Sequence, residues 1–459
     1  PGKYPRVASS VVFRNAGGKF EIDFENTKRL AGIGLVSGAV FSDLDGDGDP
    51  DLILACDWGP ILIYRNETGA LQPWNWPVTL APGSTLNSSA RQSEVTAAQL
   101  PGPPERIDAS KSAGVGSGGG STLNQLTGWW NGVTTGDLDG DGKLDIVASN
   151  WGRNTTYESH RSKPLRVFYG DLDGDGRDDI VESYYDLPMQ KFVPERSLAS
   201  LAPALPFLRE RFATHRAFAE ASVEEILGPR IQNTKTREVH WLESAVFLNR
   251  GRHFEAQALP VEAQMAPAFG VCVGDYDGDG LEDIFLSQNF FATQPETPRY
   301  DGGRGLWLRG DGQGAFRAVP GQESGVRVYG EQRGCALGDY DRDGRVDLVV
   351  TQNGAATRLF HNAGAKPGLG VRLKGSENNP NGIGASVRLI FGKRLGPVRE
   401  IHAGSGYWSQ DSAALVLPIP ESPTQLWVRW PGGKITTSDL PAQAREILVD
   451  LTGRITVLK

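Results

Sequence analysis

Residues 137–145 read DLDGDGKLD, and the chain writes the same loop four more times: DLDGDGDPD from Asp43, DLDGDGRDD from Asp171, DYDGDGLED from Asp275 and DYDRDGRVD from Asp339. Each copy puts carboxylates at positions one, three, five and nine. A glycine stands at position six: Gly48, Gly142, Gly176, Gly280 and Gly344. Calcium takes six to eight oxygens in flexible geometry, and an EF-hand loop opens with this spacing, its glycine making the sharp turn. The spacing therefore nominates ligands. They are Asp43, Asp45, Asp47 and Asp51; Asp137, Asp139, Asp141 and Asp145; Asp171, Asp173, Asp175 and Asp179; Asp275, Asp277, Asp279 and Asp283; and Asp339, Asp341, Asp343 and Asp347. The position-seven carbonyl would come from Asp49, Lys143, Arg177, Leu281 or Arg345. Four carboxylates in nine residues repel one another strongly without a cation, so about five Ca2+ ions are the expected cofactor.

The flanks differ from those of an EF-hand, which has helices on both sides and Glu at position twelve. Here AVF precedes the first loop, and DLILA, DIVAS, DIVES, DIFLS and DLVVT close the five in turn. Short β-branched runs bounded by Gly and Asp read as strands. Loops between strands, recurring along one chain, make a repeat architecture.

The loop pattern, with segments such as ILIYRN, AVFLNRG and TRLFHNAG after it, resembles FG-GAP (VCBS) repeats. That resemblance implies a calcium-binding β-propeller like those of integrin α chains and secreted bacterial proteins. Toward the C-terminus, GVRLKG, NGIGASVRLIFG, REIHAGSGYWSQDS and VRWPGGK are similar to the ASPIC and UnbV domain, which follows such repeats in the cartilage acidic protein family. The expected fold is all-β: a propeller of six or seven blades over 1–367 and a small β-rich domain over 368–459. Two insertions interrupt the propeller. One, at 79–126, is rich in Ser, Gly and Pro. The other, at 194–228, carries Leu198, Leu201, Leu205, Leu208 and Phe212 at helical spacing and a capping box at Ser222 and Glu225.

Composition narrows the functional classes. A chain of 459 residues exceeds one ordinary core, and its 58 glycines and 29 prolines suit many strands joined by turns. The formal charge of −8 is largely ligand chemistry, since five divalent ions would bring it to about +2. No basic stripe points to nucleic acid, and no apolar run reaches the length of a membrane span. Three cysteines, Cys56, Cys272 and Cys335, are too few for a disulfide framework and read as buried small hydrophobes. Opening at Pro1 without a leader, the chain reads as processed or truncated. Loops of this kind fill at extracellular calcium levels, so a secreted, cell-surface or periplasmic location is expected.

Residues 10–23 read as the last two strands of an incomplete blade, and the ring is expected to be completed by a larger chain or assembly. The second and third loops start only 34 residues apart. Either the second blade is trimmed or one blade carries two loops.

In antiparallel blades the loops after each second strand lie about 17 Å from the aspartate loops, at the opposite end. They carry Trp58, Trp151, Tyr184, Tyr185, Asn289 and Phe290, with Trp129 and Trp130 adjoining. Such a rim suits a sugar ring or a peptide, although the same residues would also serve simply to cap strands. Nucleophile elbows, Cys–His pairs and zinc spacings are absent. Asp57, Asp186 and His160 are the candidate bases. Two functions follow: a secreted binding or scaffold module for an extracellular protein or glycan, or a carbohydrate-active enzyme of lyase or dehydratase type with its site on this rim.

Overall fold

The computed structural model describes residues 4–81, 121–160 and 163–459, and the chain is predominantly β. Most of the Ser/Gly/Pro-rich insertion, GVGSGGG included, lies outside the described residues. Among the described residues no helix is long and apolar enough to cross a membrane.

Every aspartate loop joins two neighbouring antiparallel strands of a sheet. The first sheet runs Leu35–Ser42, Asp51–Asp57, Ile61–Glu67 and Ala70–Pro73 in sequence order. The third is equally simple: Ala268–Gly274, Asp283–Gln288, Leu306–Gly310 and Phe316–Val319. The fourth has three strands, Glu331–Gly338, Asp347–Asn353 and Arg358–Phe360. Residues 13–22 form an exposed hairpin, Phe13–Ala16 with Lys19–Ile22.

The second sheet resolves the close spacing of two loops in a way the sequence did not suggest. Its first strands, Val133–Gly136 and Asp145–Ala148, are completed by Ala245–Asn249 and Phe254–Ala258, with Val78–Leu80 parallel on the edge. The 96 residues between Ala148 and Ala245 are an insertion. Within it the loop from Asp171 belongs to a sheet of its own, formed by Leu165–Gly170, Asp179–Asp186, Lys191–Pro194 and Lys235–Val239. The five loops therefore do not mark five successive blades, and among the described residues four sheets stand in series. The helices at 198–227 pack on Phe168, Leu172 and Val181 of the inserted sheet. They lie against the side of that sheet and its aspartate loop, not on the opposite rim. Ser222 and Glu225 form the expected capping box.

The first strands of the four sheets lie side by side, and one device recurs where they meet. Ser37 Oγ donates to the Trp130 carbonyl (2.6 Å), Ser149 Oγ to Phe269 (2.6 Å) and Ser287 Oγ to Arg333, each crossing to the next sheet. A glycine accompanies each crossing. A Cβ on Gly132 would stand 2.4 Å from the Phe269 carbonyl, and one on Gly270 2.6 Å from that of Arg333. Backbones approach this closely only where no side chain intervenes.

The C-terminal region has its own core, including Val371, Val387, Val428, Trp430, Ile447 and Val449. It sits on the aspartate loops of all four serial sheets. Arg429 pairs with Asp43 (2.6 Å), and the Val398 N–H donates to Asp137 (2.8 Å). Arg399 pairs with buried Glu282 (2.7 Å), and Arg342 in the fifth loop pairs with Glu446. Arg342 takes the left-handed conformation (φ 60°) that glycine holds at position four elsewhere, and its side chain turns out to that partner.

From this region the glycine-rich segment 401–412 threads along the first strands. The Phe41 N–H donates to the Ala403 carbonyl (2.9 Å), Gly406 pairs with Val133, and the Ser412 N–H donates to the Leu337 carbonyl (2.8 Å). Gly406 (φ 60°) passes so close to Val271 that a Cβ would meet its carbonyl at 2.5 Å. The segment is thus more than a turn within a small β domain. It ties that domain to the sheets it rests on.

Gly132→Ala is expected to cost about 1–3 kcal/mol through overpacking against backbone that cannot move aside. Urea unfolding in calcium-containing buffer measures it, with Gly364→Ala, where a Cβ meets nothing, as the control.

Candidate functional site

Two groups of residues have the chemistry of a site, at opposite ends of the strands. The first is the aspartate loops. In the loop from Asp43, Asp43 accepts the N–H groups of Gly46 and Gly48, Asp45 that of Asp47, and Asp47 that of Asp49. The ninth residue is anchored through both oxygens: Asp51 accepts from Leu44 (3.1 Å) and from Asn66 on the third strand (2.8 Å). Asp145, Asp283 and Asp347 repeat this with Asn249, Gly310 and Asn362. These turns converge the carboxylates. Ligand atoms of Asp43, Asp45 and Asp51 lie within 4.8 Å of one another, as do those of Asp137, Asp139 and Asp145, of Asp171, Asp173 and Asp179, and of Asp275, Asp277 and Asp279.

In the last loop the converging group is Asp341, Asp343 and His361. Burial and neighbouring carboxylates push Asp145 and Asp283 up to about 8 and Asp51 to about 7. Such oxygens suit a hard dication, which would reverse that cost. A nitrogen-bearing side chain on or just past the third strand also leans on each serial loop: Arg65 on Asp45 (2.6 Å), Arg250 on Asp139, Arg309 on Asp277 (2.7 Å) and His361 near Asp341 (3.1 Å).

The second group is a cleft of about 360 Å³ at the other end. Trp58, Trp129, Trp151 and Phe290, four of the rim residues named from sequence, line it together. Trp129 makes edge contacts with Trp58 (5.0 Å) and Trp151 (5.5 Å), and Trp151 touches Phe290 (5.1 Å) and Tyr300 (5.5 Å). The aromatic series continues through Phe269 to Tyr407, which stacks on Trp408 at 4.8 Å. Trp408 is 84 % exposed and projects from the threading segment with φ 52°. The Trp129 indole N–H is buried without a hydrogen-bond partner among the described residues.

The other rim candidates lie elsewhere. Trp130 is fully buried in the core against Trp241 and Phe247. Asn289 is buried too, its amide donating to the carbonyls of Gly303 and Gly330. Tyr185 packs on Phe192 in the inserted sheet, and Tyr184 stacks on His160 (3.8 Å). Asp186 caps a turn at Met189.

Of the candidate bases only Asp57 enters the cleft, where it accepts from the Tyr4 hydroxyl (3.0 Å). Sequence reading missed its companions: Glu182, Arg196, Tyr157, Glu195 and Tyr300. Tyr157 Oη donates to Glu182 (3.3 Å), and Arg196 stands 3.5 Å from the same carboxylate. Burial pushes Asp57 up to about 6 and raises Glu182, which Arg196 partly offsets. One signal for Glu182 was legible. Three residues after the ninth aspartate the other sheets place Leu54, Ala148, Leu286 and Val350, whereas this one places a carboxyl.

Residues 375–453 match the family described as ASPIC and UnbV, so the C-terminal region carries an ASPIC and UnbV domain. No curated protein matches the chain. Among solved structures, the Bacillus licheniformis Rhamnogalacturonan Lyase PL11 is 12 % identical over 89 % of this chain and 76 % of its own, with a TM-score of 0.19. The V. cholerae biofilm matrix protein Bap1 is 10 % identical over 92 % of this chain and 61 % of its own, with a TM-score of 0.14. Neither likeness is close enough to carry an argument about fold or function.

The Asp57 shift predicts a pH dependence. Its folded pKa lies above the unfolded carboxylate value of about 3.9, so the folded state holds the proton more tightly. The stability it contributes is full at low pH and is lost as pH rises from about 4 through 6. In melting temperatures measured across that window, Asp57→Asn should flatten the decline.

Proposed function

We propose that the chain is a calcium-stapled β-propeller module, working outside the cytoplasm, that binds a neutral glycan in the cleft opposite its aspartate loops. The observation that carries this reading is the convergence of Trp58, Trp129, Trp151, Phe290 and Tyr300 on one cleft that also holds buried carboxyls. Aromatic faces stack on the apolar faces of sugar rings, and a few placed polar groups set orientation. Asp57, Glu182 and Glu195 outnumber Arg196 there. That balance favours hydroxyl-rich neutral sugars over polyanions, which would meet like charge. The covered loop face supports assigning recognition to the other end. FG-GAP repeats, a ring completed by another chain and a protein partner belong to the same reading.

Titration calorimetry of the full chain against neutral oligosaccharides, with calcium present, tests the cleft. Trp151→Ala and Tyr300→Ala should each weaken binding tenfold or more, about 1.4 kcal/mol or above, with the circular dichroism spectrum unchanged. Unchanged affinity in both variants would sink the assignment.

A second reading, a carbohydrate-active enzyme, is favoured by Asp57 and Glu182, two carboxyls with raised pKa in one cleft. The same oligosaccharides decide it. Product formation that Glu182→Gln abolishes while binding persists would make the protein an enzyme. Binding without any product keeps it a module.

For the metal, elemental analysis should return about five calcium ions per chain. A site filled at about 100 times its Kd adds about 2.7 kcal/mol, so EGTA should lower the melting temperature by ten degrees or more on the order-of-magnitude scale of several such sites. No bound calcium and no shift would refute the staple.

A further inference from the structure

Cys272 and Cys335 were expected to be separate apolar fillers, yet the fold brings them together. They sit on the first strands of the third and fourth serial sheets, both buried, with their sulfurs 3.1 Å apart across 63 positions of sequence. The backbones are close as well: a Cβ on Gly270 would stand 2.9 Å from the Cys335 amide nitrogen. Their surroundings are mainly apolar, including Phe285, Val328, Leu348 and Val350. Two polar side chains adjoin them: Asp411 of the threading segment, 3.7 Å from the Cys272 sulfur, and Tyr276 in the same buried cluster. Cys56, also buried, lies in the first sheet, away from this pair.

We propose that Cys272 and Cys335 form a disulfide that joins the third and fourth sheets where the C-terminal segment passes them. Each thiol gives up one proton and one electron. The electron pair and both protons pass to the disulfide of a thiol–disulfide oxidoreductase, which becomes its dithiol, or to oxidised glutathione, which becomes two glutathione thiols, and one sulfur–sulfur bond forms in the protein. The exchange belongs to folding. Once the sheets have closed, the sulfurs are out of reach, and burial raises the Cys272 thiol well above its ordinary value, leaving little thiolate to attack. Such a bond persists in extracellular and periplasmic compartments and is rare in the cytosol, so it bears on location independently of calcium.

The full chain, secreted through an oxidising compartment of an expression host, would be denatured in an alkylating agent and mapped by mass spectrometry without reduction. The expected result is one alkylated cysteine, Cys56, and a linked pair of peptides carrying Cys272 and Cys335, lighter by two hydrogens. Cys56→Ser should leave the link intact. Cys272→Ser should free Cys335 for alkylation and, unlike Cys56→Ser, lower the melting temperature by several degrees. Three alkylated cysteines in the wild-type protein, or a link through Cys56, would overturn the proposal.

Discussion

The structure depends on how closely the first strands of neighbouring sheets approach one another. Gly38, Gly132 and Gly270 each stand where the next sheet's carbonyl would collide with a side chain. The hydroxyls of Ser37, Ser149 and Ser287 bridge the same junctions. A hydroxyl satisfies a carbonyl that would otherwise be buried unpaired, and an unpaired buried carbonyl costs about 1–3 kcal/mol. At Gly334 the carbonyl a Cβ would meet, at 3.3 Å, is that of Tyr407. The threading segment there stands in the relation to the fourth sheet that each sheet's successor bears to the one before.

That arrangement separates the two ends of the strands. The aspartate loops gather buried, mutually repelling carboxylates, and the ASPIC and UnbV domain lies over four of them. It brings Arg429 to Asp43 and Arg399 to Glu282. Removing one partner of such a buried pair strands the other charge, typically at about 3–5 kcal/mol, so the domain and the sheets are bound together electrostatically as well as by the threading segment. The remaining loop, the third along the chain, from Asp171, belongs to the inserted sheet and stays largely exposed. With one end covered, the aromatic cleft at the other end is the open surface, and Trp408 carries the covering domain through to that side.

Much of this was legible in the chain. The aspartate spacing located each first-to-second strand turn, and strand direction placed Trp58, Trp129, Trp151 and Phe290 at one end. Trp130 went astray because the two adjacent tryptophans ahead of strand Val133–Gly136 point to opposite sides: Trp129 reaches the cleft and Trp130 the core. Asn289 looked like a rim ligand because an exposed and a buried amide have the same letter, and only its partners Gly303 and Gly330 decide between them. The nested sheet was misread because order along the chain is not order of pairing. Ala245–Asn249 returns across 96 residues to pair with Asp145–Ala148.

The sequence by itself determined the strands, their aspartate turns and the C-terminal domain, because these depend on residue spacing within a few positions. Tertiary structure alone decided which strands complete the second sheet, where segment 401–412 runs, and that Tyr157, Glu182, Arg196 and Asp57 share a cleft. The physical reason is the range of the forces. Turn and strand preferences act between neighbours, whereas the burial that raises Asp57 and the contact between Cys272 and Cys335 exist only once distant segments exclude water together.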